Sequence, residues 1–318
     1  MKTKAVAAVP FKKKKGYRSM YFKRNLELYG LCAIPLILVF VFKYLPMGGI
    51  VIAFKDYRFD KGIFGSDWVG FKNFEFFFKT TEFARITWNT LFMNFMFIIT
   101  GTAAALLVAL FLFQIQRRGA IKTYQTILII PRFFSWVIVA YMLYAFLSVK
   151  NGVINNVIQA MGGQKIDWYS EPKYWPWILI IVNLWKAVGI DSVIYYAALM
   201  GLDSGMLEAG EIDGASRGQI MWHIILPSLM SIVVVMLILK IGSIFQADFG
   251  MFFQLTRDSG ALYETTDVVD TYIFRALRQL GNMGMGSAVG LLQSFVGLIL
   301  VLITNAASKK VDPDGGLF

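Results

Sequence analysis

Six apolar stretches, each long enough to cross a bilayer, dominate this sequence and leave few folds open to it. They run over about 26–45, 90–113, 124–148, 175–200, 225–247 and 285–306. A helix needs about 20 such residues to traverse the hydrocarbon core. No water is present there, so backbone N–H and C=O groups must be satisfied inside the segment, as a helix satisfies them. Composition agrees: 57% of the 318 residues are hydrophobic, against about 45–50% in soluble domains. The expected fold is all-α, a polytopic membrane protein with six transmembrane helices over 26–308. It is flanked by a basic tail at 1–25 and a short tail at 309–318.

The formal net charge of +11 is concentrated at one end: residues 1–25 hold Lys2, Lys4, Lys12 to Lys15, Arg18, Lys23 and Arg24 and no acid. Beside a first apolar span this is the positive-inside signal, and anionic lipid is a better partner for it than nucleic acid. The run at 26–45 exceeds a signal-peptide core and lacks an A-x-A-like cleavage site, so it reads as a span. Arg117, Arg118 and Lys122 mark a second cytoplasmic loop, and Lys309 and Lys310 follow the sixth span. Six crossings place both termini in the cytoplasm, with segments 46–87, 149–174 and 248–284 outside. Parity also makes loop 201–224 cytoplasmic, although Asp203, Glu208, Glu211 and Asp213 outweigh Arg217 there. Trp68 to Phe71 and Phe74, Phe76, Phe77 and Phe78, interleaved with Lys72 and Lys79, read as an interfacial helix rather than a platform for stacked bases.

The residues expected of an ATP-hydrolysing or metal-using enzyme are missing. There is no G-x-x-x-x-G-K-[ST] loop. The single Cys32 and single His223 have no partners for a metal, and no nucleophile pairs with His223, which reads as a hydrogen-bonding residue at a helix start. No catalytic residue and no metal ligand is assigned. Gly281, Gly284, Gly286 and Gly290 open a span and follow no strand, which suits close helix packing rather than a dinucleotide. Pro131 should kink or break the third span. The fourth span carries Asn183, Lys186 and Asp191, and the fifth Lys240, Ser243 and Gln246. Charges at membrane depth cost several kcal/mol unless they pair or face a wet cavity. A Lys186–Asp191 ion pair, snorkelling, or a polar pathway are the readings open to them.

Loop 201–224 and its continuation, Glu208–Pro227, is the polar, glycine-rich interruption. Asp203 or Ser204 can cap a short helix, with Leu202, Met206, Ala209 and Gly210 on one face at helical spacing. Gly210, Gly214 and Gly218 recur every fourth residue, as in seams that admit another backbone. Gly214 can end the helix in a left-handed conformation, and Pro227 falls near the start of the fifth span, where its missing N–H costs little. This is the pattern of a short docking helix stiffly joined to a transmembrane one; a plain loop packed beneath its own bundle is the alternative.

Glu208-Ala209-Gly210, then Gly214, then Ile224-x-Leu226-Pro227 resembles the EAA motif of ATP-binding-cassette (ABC) importer permeases, the binding-protein-dependent inner-membrane components. Gly210 departs from it, standing where the family has a second alanine. Tyr44 to Gly49, Trp68 to Phe74, Pro131 to Val137 and Asp213-Gly214-Ala215 are similar to the carbohydrate-importer subgroup, in particular its polysaccharide or oligosaccharide permeases, and the resemblance runs over about 25–308. It implies a type I importer permease in a bacterial plasma membrane. A second homologous permease subunit would share the path, and a separate ATPase dimer would carry ATP and magnesium. A periplasmic or lipid-anchored binding protein would deliver sugar. This chain would bind no cofactor itself. Glu208, Ala209, Gly210, Asp213, Gly214, Ala215, Leu226 and Pro227 would form the ATPase-coupling element. The resemblance places substrate between the fourth and fifth spans, where Asn183, Trp185, Lys186, Lys240, Ser243 and Gln246 are the expected lining. Two lysines there favour an acidic oligosaccharide such as a uronate, since a buried carboxylate needs a cation. A neutral sugar, a self-sufficient secondary transporter and a membrane-embedded glycan enzyme are the alternatives.

Overall fold

The computed structural model describes residues 25–279 and 281–311. The basic tail at 1–24 and residues 312–318 of the other tail lie outside them. Two compact units divide the chain, Met1–Val51 and Ile52–Phe318. The first holds α1 (Leu26–Val39), a π-helical turn at Phe40–Tyr44 and the start of a 3-10 segment, Leu45–Phe54. The wider turn precedes Pro46, whose ring cannot accept the regular ladder against the carbonyl four residues back. The apolar helical stretch reaches Phe54, nine residues past the expected boundary.

The second unit begins with a two-residue antiparallel ladder of β1 (Lys55–Asp56) and β2 (Asp67–Trp68). The amphipathic α2 (Lys72–Lys79) follows, as the aromatic cluster suggested. Then come α3 (Thr81–Phe113), α4 (Arg118–Ile129), α5 (Trp136–Leu147), α6 (Val153–Ala160), α7 (Trp175–Leu199) and α8 (Ser204–Ile212). The helical run α9 (Arg217–Gly242), α10 (Phe249–Thr256), α11 (Val269–Arg278) and α12 (Met283–Val311) complete it.

Four long helices set the frame, and two clusters give it polarity. Met93 of α3 packs with Leu179 of α7 in one cluster, while Ala105 and Ala109 meet Tyr195 and Leu199 in the other, so α3 and α7 run parallel. Ile220, Ile225 and Leu229 of α9 join the second cluster, which makes α9 antiparallel to both. Asn89 Nδ2 donates to the carbonyls of Glu264 (3.0 Å) and Asp267 (3.1 Å), and Thr265 Oγ1 to that of Pro172 (2.8 Å). The loops after β2, α6 and α10 therefore gather at one end, and α8 lies at the other.

The third span breaks where Pro131 suggested, and the fifth needs its bounds corrected. The third span is a broken pair: Arg118–Phe133 and Trp136–Leu147 meet at 96°. Pro131 forces a 3-10 turn at Ile130–Phe133, and Ser135 restarts the helix by accepting from Ile138 N–H at 3.3 Å. Among the described residues five helices are long and apolar enough to cross, six when this bent pair is counted as one span. Segment 248–284 contributes to the core. Met251, Phe252, Leu255, Leu262 and Val268 lie in the main core with Trp175, and Arg275 bridges the carboxylates of Asp258 and Asp267. Finally, α9 starts at Arg217 rather than 225 and ends at Gly242, before Ser243 and Gln246. Pro227 sits inside it, and the π turn at Met221–Ile225 accommodates the proline. His223 Nδ1 lies 3.0 Å from the Gln219 carbonyl within that turn.

Small residues allow the closest approaches. A Cβ on Gly189 of α7 would lie 2.0 Å from the Leu128 carbonyl oxygen, so α4 rests on bare backbone there. Gly284 and Gly286 similarly admit Asn73 with Lys55 and Leu277, as the glycine-rich start of α12 suggested.

Candidate functional site: a capped helix and a polar cleft

The element α8 is a nine-residue helix fixed at both ends. Asp203 Oδ1 accepts from Gly205 N–H at 3.0 Å. At the other end Gly214 takes φ +78°, its N–H reaches the Glu211 carbonyl at 3.1 Å, and Ala215 N–H reaches the Gly210 carbonyl at 3.0 Å. These two bonds and the left-handed glycine make a Schellman cap. Ser216 and Gln219 then form a capping box that starts α9.

The residues grouped on one face by helical spacing divide between the bundle and the outside. Leu202, Leu207 and Ala215 pack on the second cluster, whereas Met206 and Ala209 face out. Gly210 lies beneath Ile224 and Ile220, where a Cβ would come 3.0 Å from Ile224 Cδ1. Gly214 and Gly218 have open space, so the three glycines do not form one helical seam. The outward face carries Met206, Glu208, Ala209, Glu211, Ile212 (84% exposed) and Asp213, with Trp222 (67%) exposed at the start of α9. Leu226 is half-buried and Pro227 exposed along α9, one turn further on.

A cleft of about 370 Å³ opens beside α7, α9 and α3. Of the six residues named for the pathway, Asn183, Lys240, Ser243 and Gln246 line it. Trp185 and Lys186 do not. Trp185 stacks on Phe134 at 6.2 Å and borders a separate apolar hollow, while Lys186 is buried, donates to the Phe134 carbonyl and lies 4.2 Å from the Trp136 ring centre. Lys186 therefore closes off the unpaired backbone left by the Pro131 break. Of the readings left open, the Lys186–Asp191 pair does not form; Asp191 pairs instead with Lys240, at 2.6 Å, with about a quarter of each side chain exposed (28% and 26%). Ser243 Oγ is spent on the Lys240 carbonyl at 3.0 Å.

The turn after α9 is held from three helices. Asn94 Nδ2 donates to the Ile244 carbonyl at 2.7 Å, Gln293 Nε2 to the Phe245 carbonyl at 2.5 Å, and Ala247 N–H to Asp270 Oδ2 at 2.7 Å. Asp248 caps α10 and accepts from Trp136 Nε1 at 2.8 Å. Arg132, Asn94 and Asp248 are cleft residues that sequence reasoning passed over. Arg132 has no ion pair or hydrogen bond among the described residues. Its signal was a charge beside the span-breaking proline; Asn94 was a polar residue inside the second span.

Fold and sites together define a polytopic helical membrane permease, with a solvent-facing helix at one end of the spans that wall its polar cleft. Residues 101–313 match the family described as "Binding-protein-dependent transport system inner membrane component", and the chain belongs to that family. It has the type I ABC importer fold and is a sugar-transporter permease subunit, as the motif resemblance implied. The chain is 36% identical over 312 residues to the polygalacturonan/rhamnogalacturonan transport system permease protein YteP of Bacillus subtilis (strain 168), covering 98% of this chain and 97% of that one. It superposes with TM-score 0.84 and 32% identity on a chain of a bacterial ABC transporter that imports the acidic polysaccharide alginate, covering 92% and 98%. A second structure, of that alginate transporter type with its alginate pentasaccharide-bound periplasmic protein, gives 0.82, 32%, 92% and 97%.

Proposed function

We propose that this permease passes a carboxylated oligosaccharide through the cleft between α7 and α9, and that a separate ATPase drives it by gripping α8. One observation carries this reading: two of the helices that line the cleft, α7 through Asn183, Ala187 and Asp191 and α9 through Lys240, are the two that α8 joins. Leu199 ends α7 and Arg217 begins α9, so force applied to the capped helix between them reaches two sides of the cleft. Glu208 offers an exposed carboxylate for a charge-assisted contact. The exposed Met206, Ile212 and Trp222 offer apolar area for a partner. A second permease, a binding protein outside, and cytoplasmic termini complete the arrangement. ATP and magnesium belong to the ATPase.

Acidic cargo draws support from two relatives, whose named cargoes, galacturonans and alginate, are carboxylated. It no longer rests on Lys186 and Lys240: the first faces away and Asp191 neutralises the second. Arg132 is the cleft's cation without an acid partner among the described residues. A neutral oligosaccharide is the second reading, favoured by the Lys240–Asp191 pair. The test is uptake into proteoliposomes by the full complex, with galacturonate oligosaccharides compared against their carboxyl-reduced counterparts. Preference for the carboxylated form is expected; equal or reversed preference contradicts acidic cargo, and uptake without ATP contradicts the coupling.

A further inference from the structure

Two adjoining hollows, of about 300 and 540 Å³, run along the seam of α5 and α10 towards the loop end and share Tyr144 and Arg257. They have no lining residue in common with the cleft. We propose that this groove is a second sugar subsite, in which Arg257 binds the carboxylate of an acidic residue while Tyr141 and Tyr144 offer faces to the sugar ring. The inference rests on the acidic-cargo reading above.

Charge is the first support. Arg257 has no acid within salt-bridge reach among the described residues, and its guanidinium lies 4.6 Å from the Tyr144 ring centre. The neighbouring Asp258 is turned away and neutralised, meeting Arg275 at 3.2 Å, Tyr263 Oη at 2.9 Å and Gln279 Nε2 at 3.3 Å. Lys150 adds a second cation to the larger hollow; its one acid, Asp167, is engaged by Ser170 Oγ at 2.8 Å.

Backbone conformation is the second. Arg257 and Asp258 take φ of +56° and +49°, consecutive left-handed positions without a glycine. Such strain persists only where surroundings hold it, and it gathers at functional sites. Here the Gln254 and Phe253 carbonyls accept from the two N–H groups at 3.3 and 3.2 Å.

The third support is an orphan. Tyr169 lines the larger hollow, and its buried hydroxyl has no hydrogen-bond partner among the described residues. A buried donor left unpaired is costly, and a sugar oxygen would satisfy it once the ring turns this hydroxyl, which now has no exposed surface, into the groove. Burial pushes this phenol up to about 12, so it remains a donor at neutral pH.

The test uses the reconstituted full transport complex with tetragalacturonate and its carboxyl-reduced form. Arg257→Gln should raise the uptake KM for tetragalacturonate by about tenfold, the worth of one charge-assisted hydrogen bond. It should leave kcat and the KM for the reduced sugar in place, and Arg257→Lys should recover most of the loss. Tyr169→Phe, which removes only the orphan hydroxyl, should raise KM roughly two- to tenfold. A wild type that discriminates between the sugars while both variants keep its KM overturns the groove alone. Equal shifts for both sugars overturn it as well, as a purely structural effect. A wild type indifferent to the carboxylates overturns the acidic-cargo reading and the groove with it.

Discussion

Replacing Gly214 isolates a backbone effect, because a Cβ there would meet nothing within 4 Å. Its φ of +78° is what matters. An L-residue forced into the left-handed region loses about 1–2 kcal/mol, and Asn loses less because it visits that region more readily. The helix it ends has nine residues, and isolated helices below about 12–15 residues are marginal. Two of the bonds that hold its last turn, Gly214 N–H to Glu211 and Ala215 N–H to Gly210, depend on this residue's conformation. A loss of about 1–2 kcal/mol shifts the ratio of seated to frayed α8 by roughly 5–30-fold. Coupling should therefore fall in the order Gly, Asn, Ala, Val, the β-branched residue being worst. The assay is sugar uptake per ATP hydrolysed by the reconstituted complex, with helix seating followed by proteolysis of the loop. Gly214→Ala and Gly214→Val behaving as wild type, or Gly214→Asn ranking below Gly214→Val, would refute the reasoning.

Gly189→Ala drives a methyl into the Leu128 backbone and should destabilise by about 1–3 kcal/mol or more, read as a lowered melting temperature in detergent. An unchanged melt contradicts the close α4–α7 crossing. Arg275→Ala leaves the Asp267 carboxylate, 2% exposed, without its buried cation and should cost about 3–5 kcal/mol; adding Asp267→Asn should return part of it. Asp270 sets a pH dependence: burial, the largest influence, holds its carboxyl above the usual 3.8, against the lowering effect of the Ala247 N–H and Gln293. The folded chain thus keeps this proton to higher pH than the unfolded chain. Its contribution is most favourable below the ordinary value and declines as pH rises through the raised one. Asp270→Asn should flatten that decline in melting temperature across the acid range; a steeper slope counts against it.

Legibility in the sequence followed how local each cause was. The fourth span, expected over 175–200, is Trp175–Leu199, because proline and aromatics begin it and apolar residues fill it. The second was expected from 90 but starts at Thr81, since hydropathy reports bilayer thickness while the helix continues past it through Glu82 and Arg85. Asp203 and Gly214 were legible as caps because capping is a matter of neighbouring residues. The lysines were not. Whether Asp191 pairs with Lys186 or Lys240 depends on which faces of α7 and α9 meet, and charge spacing along one helix carries no such information. The 248–284 segment hid its core for a related reason. Its apolar residues are interrupted by Asp258, Asp267 and Arg275, which neutralise one another only after folding.

The central claim is that α8 is where an ATPase holds this permease. Cys32 is the sole native cysteine, so a Cys32→Ser chain accepts single reporters. Ala209→Cys places one on the outward face of α8, and Met161→Cys places one on an exposed residue at the far, loop end. In the assembled complex, crosslinking to the ATPase subunit from position 209, changing on ATP addition, and none from position 161 is the predicted result. Crosslinking to the ATPase from 161 with none from 209 would contradict the account.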